Sequence, residues 1–550
     1  MTSSLFEPGR TCWRTANAAR LSVIVDAADH FVALREAMKG AERSIDLVGW
    51  DFDLRIEMLP GESDEDGLAP DGLPNRLGDF IRAIVKEKPD LHLHLLKWDG
   101  AMLAAIGKQV LPTLWMQWLS SDRIHFQLDS HHPVGACHHS KIAVIDDRVA
   151  FCGGIDVTED RWDTRDHKPD DPRRVQPDGT PFDPWHDASM VLSGEAAEAL
   201  GDLARMRWEK ATGERLPAIE TAGTDPWPDS VEVDLTDIEV AIARTAPRYH
   251  GDPLVNEIEE LYLAIIREAK DHIYLESQYL AAGSLCEALE ERLREPAGPE
   301  IVVINPRTAE SFMEDEAMHS VRSRMIERLN EADRHHDDHG GRFRIYNPVN
   351  SAGTPIYVHA KILIADDQVL RIGSSNVDNR SMGFDTECDV AFRARIAGER
   401  RYVRELRDGL LAEHLGVSRK KVELALKETG SLRGAIDRLN GEGKGERGLQ
   451  PIKAEPLDPL ERVLADSRIF DPRYRPTPKQ RMKHAAKRAA EPYQVEWGVG
   501  GLALGGVVTA GLFALAGYGA YRWLTRPDRR PRRSRRLAAP AVYTDGRLRR

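Results

Sequence analysis

His139-Ser140-Lys141-Ile142-Ala143-Val144-Ile145-Asp146 and His359-Ala360-Lys361-Ile362-Leu363-Ile364-Ala365-Asp366 are two copies of one pattern, set 220 residues apart. Each runs on into a glycine turn, Cys152-Gly153-Gly154-Ile155-Asp156 in the first copy and Gly373-Ser374-Ser375-Asn376 in the second. The apolar, β-branched stretch inside each copy predicts a buried strand. Residues i and i+2 of a strand share a face, so His139 points with Lys141 and His359 with Lys361. One side chain of each duo can attack or exchange a proton near neutral pH, and its neighbour carries a positive charge. Such a duo suits a phosphate ester, and the chain holds two.

The duplication is wider than the motif. Residues 41–51 resemble residues 269–279, and each segment follows a helix-like stretch (His30 to Lys39; Leu254 to Glu268) and reads as a strand. A second strand is predicted at Leu91–Leu96 and Glu300–Ile304, a third at Ile124–Leu128 and Phe343–Tyr346, and the His-Lys strand closes each series. Strand and helix in repeated order predict an α/β fold with a mainly parallel or mixed sheet. The expected architecture is two similar α/β halves, 1–215 and 216–415, related by a pseudo-twofold axis, with one motif from each. Residues 163–184 read as a loop and 224–230 as a linker. Residues 416–496 read as a small helical region, with two short amphipathic helices over 417–439, and a linker flexible at 441–453 and 471–479.

The net charge is −13, unevenly spread. From Arg522 onward eleven Arg face two acidic residues, a net of +9, which leaves about −22 on the rest. An acidic body argues against nucleic acid as a partner, since non-specific binding needs a basic surface. Five cysteines without paired spacing suggest neither a zinc site nor a disulfide framework. Met1 to Arg20 has no apolar core of a secretory signal. Residues 497–521 carry no charge and are rich in Gly, Ala, Leu and Val. At about 1.5 Å per residue they could cross a bilayer core of roughly 30 Å, with Trp497, Tyr518, Tyr521 and Trp523 near the ends. The expectation is a single C-terminal transmembrane helix, a basic tail over 522–550, and a membrane-anchored body on the cytoplasmic side.

Cleaving a phosphodiester needs charge neutralisation, a nucleophile and an acid for the leaving oxygen. Lys141 and Lys361 can neutralise non-bridging oxygens, and Asn376, Ser374 or Ser375 can donate further hydrogen bonds. Gly154 can let backbone approach the phosphate. Two histidines can divide the covalent work, with no metal and no cofactor needed. A carboxylate beside an imidazole fixes its tautomer, which singles out Asp187 after the first motif and Glu387 after the second. Asp146 and Asp366 also count as catalytic candidates, although bracing the loop after each strand accounts for them better. His131, His132 and His138 fit supporting or solvated roles.

These residues resemble the paired HKD motifs of the phospholipase D superfamily. Tyr357-Val358-His359 through Asn376, Asn379-Arg380-Ser381 and Glu387 is similar to the catalytic region of eukaryotic-type phospholipases D. So are Gly154-Ile155-Asp156, Arg161-Trp162-Asp163, His186-Asp187, Gly194, Arg207-Trp208 and residues 273–278. The resemblance covers roughly residues 5 to 415. It implies a duplicated phospholipase D-like fold and a ping-pong phosphodiesterase, with His139 as nucleophile and His359 as general acid/base. Lys141, Lys361 and Asn376 would bind phosphate, and Asp187 and Glu387 would orient the histidines. The implied substrate is a membrane phospholipid, hydrolysed or transphosphatidylated. Cardiolipin synthases carry the same motifs, and nucleases share the superfamily. The chain departs from the pattern at Glu276-Ser277-Gln278, where Glu-Asn-Gln is usual, and leaves no evident room for lipid-binding modules before the catalytic region.

Overall fold

A computed structural model describes residues 5–100, 121–219, 223–308, 312–334, 341–440 and 447–455. The first half begins with β1 (Arg14–Val25), α1 (Ala27–Gly40), β2 (Ser44–Gly49), α2 (Leu77–Glu87), β3 (His92–Trp98) and β4 (Ile124–Asp129). The hairpin β5 (Ile142–Ile145) and β6 (Val149–Gly153) follows, then β7 (Trp185–His186), β8 (Ala188–Ser193) and α3 (Glu195–Thr212). The second half repeats this order. It runs β9 (Leu235–Ala246), β10 (Val255–Asn256), α4 (Glu257–Glu268), β11 (His272–Glu276), α5 (Gly283–Arg294), β12 (Glu300–Ile304), α6 (Phe312–Asp333) and β13 (Phe343–Val349). Then come β14 (Tyr357–Val358), β15 (Ile362–Ala365), β16 (Val369–Gly373), β17 (Glu387–Arg393) and α7 (Ala397–Leu415). Two short helices, α8 (Arg419–Thr429) and α9 (Leu432–Leu439), and β18 (Gly448–Pro451) end the described chain.

One mixed sheet passes through both halves, and its order is symmetric about the antiparallel pair β1–β9. Outward from β1 lie β8, β6, β5, β2, β3 and β4; outward from β9 lie β17, β16, β15, β11, β12 and β13. The outer strands β2–β3–β4 and β11–β12–β13 are parallel and the inner ones antiparallel. The apolar runs predicted as strands are therefore central ones. All four residues of β5 and all four of β15 are buried, as a strand covered on both faces requires. One hydrophobic core joins the halves, placing Val144 and Ala150 in the same cluster as Ile364 and Ile372. On the other face each half has its own core, against α1 and α2 in the first and α4 and α5 in the second.

Three expectations need correction. No helix among the described residues is long and apolar enough to cross a membrane. The helices end in an amphipathic pair, α8 and α9, docked by Val422, Ala425, Ile436 and Leu439 on the shared core. Residues 497–521 and the basic tail lie outside the described residues, so the transmembrane helix and the membrane localisation drawn from it are withdrawn. Residues 447–453, read as flexible linker, instead supply β18, which pairs with the open edge of β13 and buries Leu449. The long strands β1 and β9 that weld the halves together carry no clear strand signal in the sequence. Their inward residues are mostly Ala and Ile among Arg, Thr and Glu, a weak alternation for twelve residues.

Candidate active site

The two motif strands lie on either side of the pseudo-twofold axis, and the residues preceding each cross it. His139 donates its backbone N–H to Thr386 of the second half, at 2.8 Å, and His359 donates its own to His186 of the first, also at 2.8 Å. Tyr357 and Val358 pair with Trp185 and His186 in the two-stranded β14–β7 ribbon. These exchanges bring the two imidazoles together, edge to face, across the axis. Their ring centroids are 6.4 Å apart and the planes are inclined at 67°, a gap suited to a tetrahedral phosphorus.

The same exchanges decide which carboxylate meets which histidine. Thr386 precedes Glu387, and His186 precedes Asp187. The first-half His139 therefore donates Nδ1–H to the second-half Glu387, at 3.1 Å from both oxygens. The second-half His359 donates Nδ1–H to the first-half Asp187 at 2.6 Å. Each pair is thus assembled from both halves. With Nδ1 held, each ring keeps Nε2 for chemistry.

The supports differ. Glu387 also accepts from Ser374 Oγ at 2.5 Å and Ser381 Oγ at 2.7 Å. Asp187 accepts from the Ala188 amide at 2.8 Å. Gly154 occupies the place of Ser374, and a Cβ there would lie 2.1 Å from Asp187 Oδ1. The missing side chain is what admits the carboxylate.

The lysines reach back along their strands. Lys141 Nζ donates to the His139 carbonyl at 2.9 Å, and Lys361 Nζ donates to that of His359. Lys141 also forms a buried ion pair with Asp156 at 3.0 Å. At the matching position the second half has Asn376, whose buried Oδ1 has no hydrogen-bond partner. Among the described residues no carboxylate lies within ion-pair distance of Lys361.

Burial, followed by the nearby lysines, pushes both His139 and His359 well below the usual imidazole range. Burial and neighbouring Lys141 bring Lys361 down to about 7. Burial raises Asp187 and lifts Glu387 to about 8, against the pull of Ser374 and Lys141. The site is short of negative charge on its Lys361 side, and a bound phosphate anion would supply it. Trp185 and Tyr357 stack at 4.6 Å beside His359, with Trp185 5.1 Å from that ring.

A family profile described as cardiolipin synthase, PLD-like domain, matches residues 262–405. Phospholipase D1 of Schizosaccharomyces pombe is 23% identical over 73% of this chain and 36% of its own length. Phospholipase D alpha 4 of Arabidopsis thaliana is 24% identical over 72% of this chain and 65% of its own. The chain belongs to the phospholipase D superfamily. It spans about a third of the yeast protein and just under two thirds of the plant one. A phosphatidylserine synthase of Haemophilus influenzae is similar in structure with a TM-score of 0.45 at 11% identity, covering 77% of this chain and 95% of that one.

Within this phospholipase D superfamily site, the structure brings His139, His359, Lys141, Lys361, Asp187, Glu387 and Asn376 together. It places Asp146 and Asp366 elsewhere. Asp146 accepts the amides of Glu42, Arg43 and Ser44 at 2.7–2.8 Å. Asp366 accepts those of Lys270, Asp271 and His272 at 2.7–3.0 Å. Five residues beyond its lysine along a strand, each lies roughly 16 Å from the chemistry and braces the turn into β2 or β11. Ser374 and Gly154 are also corrected as phosphate ligands. The single hydroxyl proton of Ser374 goes to Glu387, and the Gly154 amide donates to the Ala188 carbonyl at 3.0 Å. Sequence reasoning missed Asp156 and Ser381. The first could have been found by asking which charge stands where Asn376 stands in the other copy.

Proposed function

We propose that this enzyme cleaves or exchanges the head-group ester of a phospholipid through a covalent phosphohistidine. The observation that carries the reading is the crossed pair of carboxylate-held imidazoles, 6.4 Å apart, between Lys141 and Lys361. His139 Nε2 attacks phosphorus, the N–P bond forms, and the bond from phosphorus to the head-group oxygen breaks. His359 gives that oxygen a proton. Water or an alcohol then returns a proton to His359 and attacks phosphorus, and the N–P bond breaks. Lys141, Lys361 and Asn376 hold the non-bridging oxygens.

The assignment of roles has physical support besides the resemblance. An acid/base imidazole gains from a close carboxylate, not shared with hydroxyl donors, that stabilises its charged form. His359 has that in Asp187 at 2.6 Å. Glu387 is shared with two serine hydroxyls and lifted to about 8, so it stabilises positive charge on His139 less and leaves it the better nucleophile. Residues 262–405 match a profile named for cardiolipin synthase, so phosphatidyl transfer to an alcohol is the second reading of the same site.

The test is product analysis on mixed phospholipid vesicles, with and without a primary alcohol, beside His139→Ala. Phosphatidic acid, replaced by a phosphatidyl-alcohol when alcohol is present, supports the proposal. Intact lipid alongside cleavage of DNA or a soluble diester would move the substrate to a different branch. Turnover retained by His139→Ala would remove its role as nucleophile.

A further inference from the structure

Behind His359 lies a second cluster that the phosphodiester chemistry does not use. Asp26 and His186 come from the first half, with His167 from the loop before β7, and Glu413 from α7. All are buried, and one ligand atom from each falls within 4.8 Å of the others. His186 Nδ1 is 3.0 Å from Asp26 Oδ1 and 3.0 Å from Glu413 Oε1. His167 Nε2 is 3.2 Å from Glu413 Oε1 and 3.6 Å from Asp26 Oδ2. Zinc bonds of about 2.0–2.1 Å in a tetrahedron put neighbouring ligands about 3.3 Å apart, and these four separations, 3.0–3.6 Å across both oxygens of Asp26, bracket that value.

Three further features point to an ion at the centre. Neither His186 Nδ1 nor Asp26 Oδ2 has a hydrogen-bond partner, although both residues are buried. Close approach without hydrogen-bond alignment is what atoms aimed at a shared centre show. Each imidazole also has its other nitrogen engaged by an outer carboxylate. His167 Nδ1 is 2.9 Å from Asp163, and His186 Nε2 is 2.8 Å from Glu276. That carboxylate–histidine arrangement fixes the tautomer a metal needs. Finally, Glu413 Oε2 is taken by Arg165 at 2.5 Å, so the oxygen that faces the centre is Oε1, which meets His167 Nε2 at 3.2 Å.

We propose that Asp26, His167, His186 and Glu413 form a closed, four-coordinate site for a divalent first-row transition ion, Zn2+ above all. Two imidazoles with two carboxylates suit Zn2+ over the oxygen-seeking Mg2+ or Ca2+. Binding is balanced in charge, because one M2+ replaces the two protons that would otherwise sit between two carboxylates and two imidazoles. With no open position, the site is structural. It ties α7 to the first half and stiffens the base of His359. Asp187 donates its amide to Asp26 Oδ1 at 3.1 Å and accepts from that of Asp26 at 2.8 Å. His186 in turn accepts from the amides of His359 and Ala360. This inference stands apart from the phosphodiesterase reading, since its readouts need no turnover.

The experiment strips the full chain with a chelator and titrates it with Zn2+ and with Co2+. About one equivalent of Zn2+ by elemental analysis, a tetrahedral Co2+ visible band displaced by Zn2+, and a higher unfolding temperature with Zn2+ are expected. His167→Gln and Glu413→Gln should lose the band, and His359→Ala should keep it. A stripped wild-type chain that is folded yet binds no Co2+ and shows no thermal shift overturns the proposal, leaving a proton-held ion-pair network. A band of equal strength in wild type and His167→Gln overturns it as well, by placing the ion elsewhere. Should a variant not fold, the wild-type Co2+ titration still decides.

Discussion

The crossing of the carboxylates can be tested through the leaving group. Asp187→Asn replaces a charged acceptor 2.6 Å from His359 Nδ1 with an amide. A hydrogen bond to a charged group contributes about 1.5–3 kcal/mol, and about 1.36 kcal/mol is tenfold in rate. The loss in kcat/KM on a choline or ethanolamine ester should be roughly 10- to 150-fold. If His359 protonates the leaving oxygen, a p-nitrophenyl ester needs no such proton, and there the loss in the first step should shrink to about threefold or less. Glu387→Gln weakens the partner of His139 instead, and the nucleophile is needed whatever leaves. Its loss should be similar on both esters. The assay is burst kinetics of the two variants on phosphatidylcholine and phosphatidyl-p-nitrophenol, with circular dichroism to confirm folding. Recovery of Glu387→Gln but not Asp187→Asn on the activated ester would refute both the crossing and the assignment of His359 as acid.

Other outcomes follow from the same geometry. Gly154→Ala forces a Cβ to within 2.1 Å of Asp187 Oδ1 and should cost about 1–3 kcal/mol of stability with a marked loss of activity. Gly398→Ala, on open helix surface, should be neutral or slightly stabilising in the same thermal melt. Asp146→Asn removes a charged acceptor of three backbone amides, so urea unfolding should show about 1–3 kcal/mol lost while kcat stays within about threefold of wild type. The pH profile of kcat/KM reports the free enzyme. Activity should rise as the Glu387–His139 pair loses its extra proton near about 8, and fall as Lys361 becomes neutral near about 7, giving a narrow maximum between them. Lys361→Arg, which does not deprotonate in this range, should flatten the alkaline limb. An unchanged alkaline limb in that variant would assign it to another group.

Much of this was legible in the sequence because duplication can be read twice. β2, β3, β4 and β5 and their counterparts β11, β12, β13 and β15 are short, largely apolar runs at matching intervals, and the strand rule alone aligns each histidine with its lysine. The partners of the histidines were not legible. Asp187 and Glu387 stand out as acids downstream of each motif, but which histidine each one meets depends on the short β14–β7 ribbon and the Thr386–His139 contact, pairings across the axis that leave no periodicity. Asp146 and Asp366, catalytic candidates by position in the motif, take the bracing role that accounts for them better. A residue type that repeats with a motif repeats because the fold needs it twice, and here it serves backbone amides at the far end of the strand. The candidate metal site joins residues 26, 167, 186 and 413, a spacing no local pattern could announce.

A symmetric frame holding asymmetric charge explains how two similar motifs come to do different work. Both halves offer an imidazole, a lysine and a carboxylate in matching places. In the first half Asp156 neutralises Lys141 at 3.0 Å, whereas with Asn376 in its place Lys361 has no such partner among the described residues. In the second, Ser374 and Ser381 divide Glu387, whereas Gly154 lets Asp187 close on His359 with the Ala188 amide on its other oxygen. A phosphate anion entering between them is drawn to the Lys361 side, and its charge raises the proton affinity of both Lys361 and His359. On the proposed mechanism, substrate binding would thus charge the acid beside its tight carboxylate. On the same mechanism His139, facing the balanced Lys141–Asp156 pair and a divided carboxylate, would stay neutral and able to attack. The division of labour resides in a few substitutions at equivalent positions, so exchanging Asp156 and Asn376 should weaken the asymmetry while leaving the frame intact.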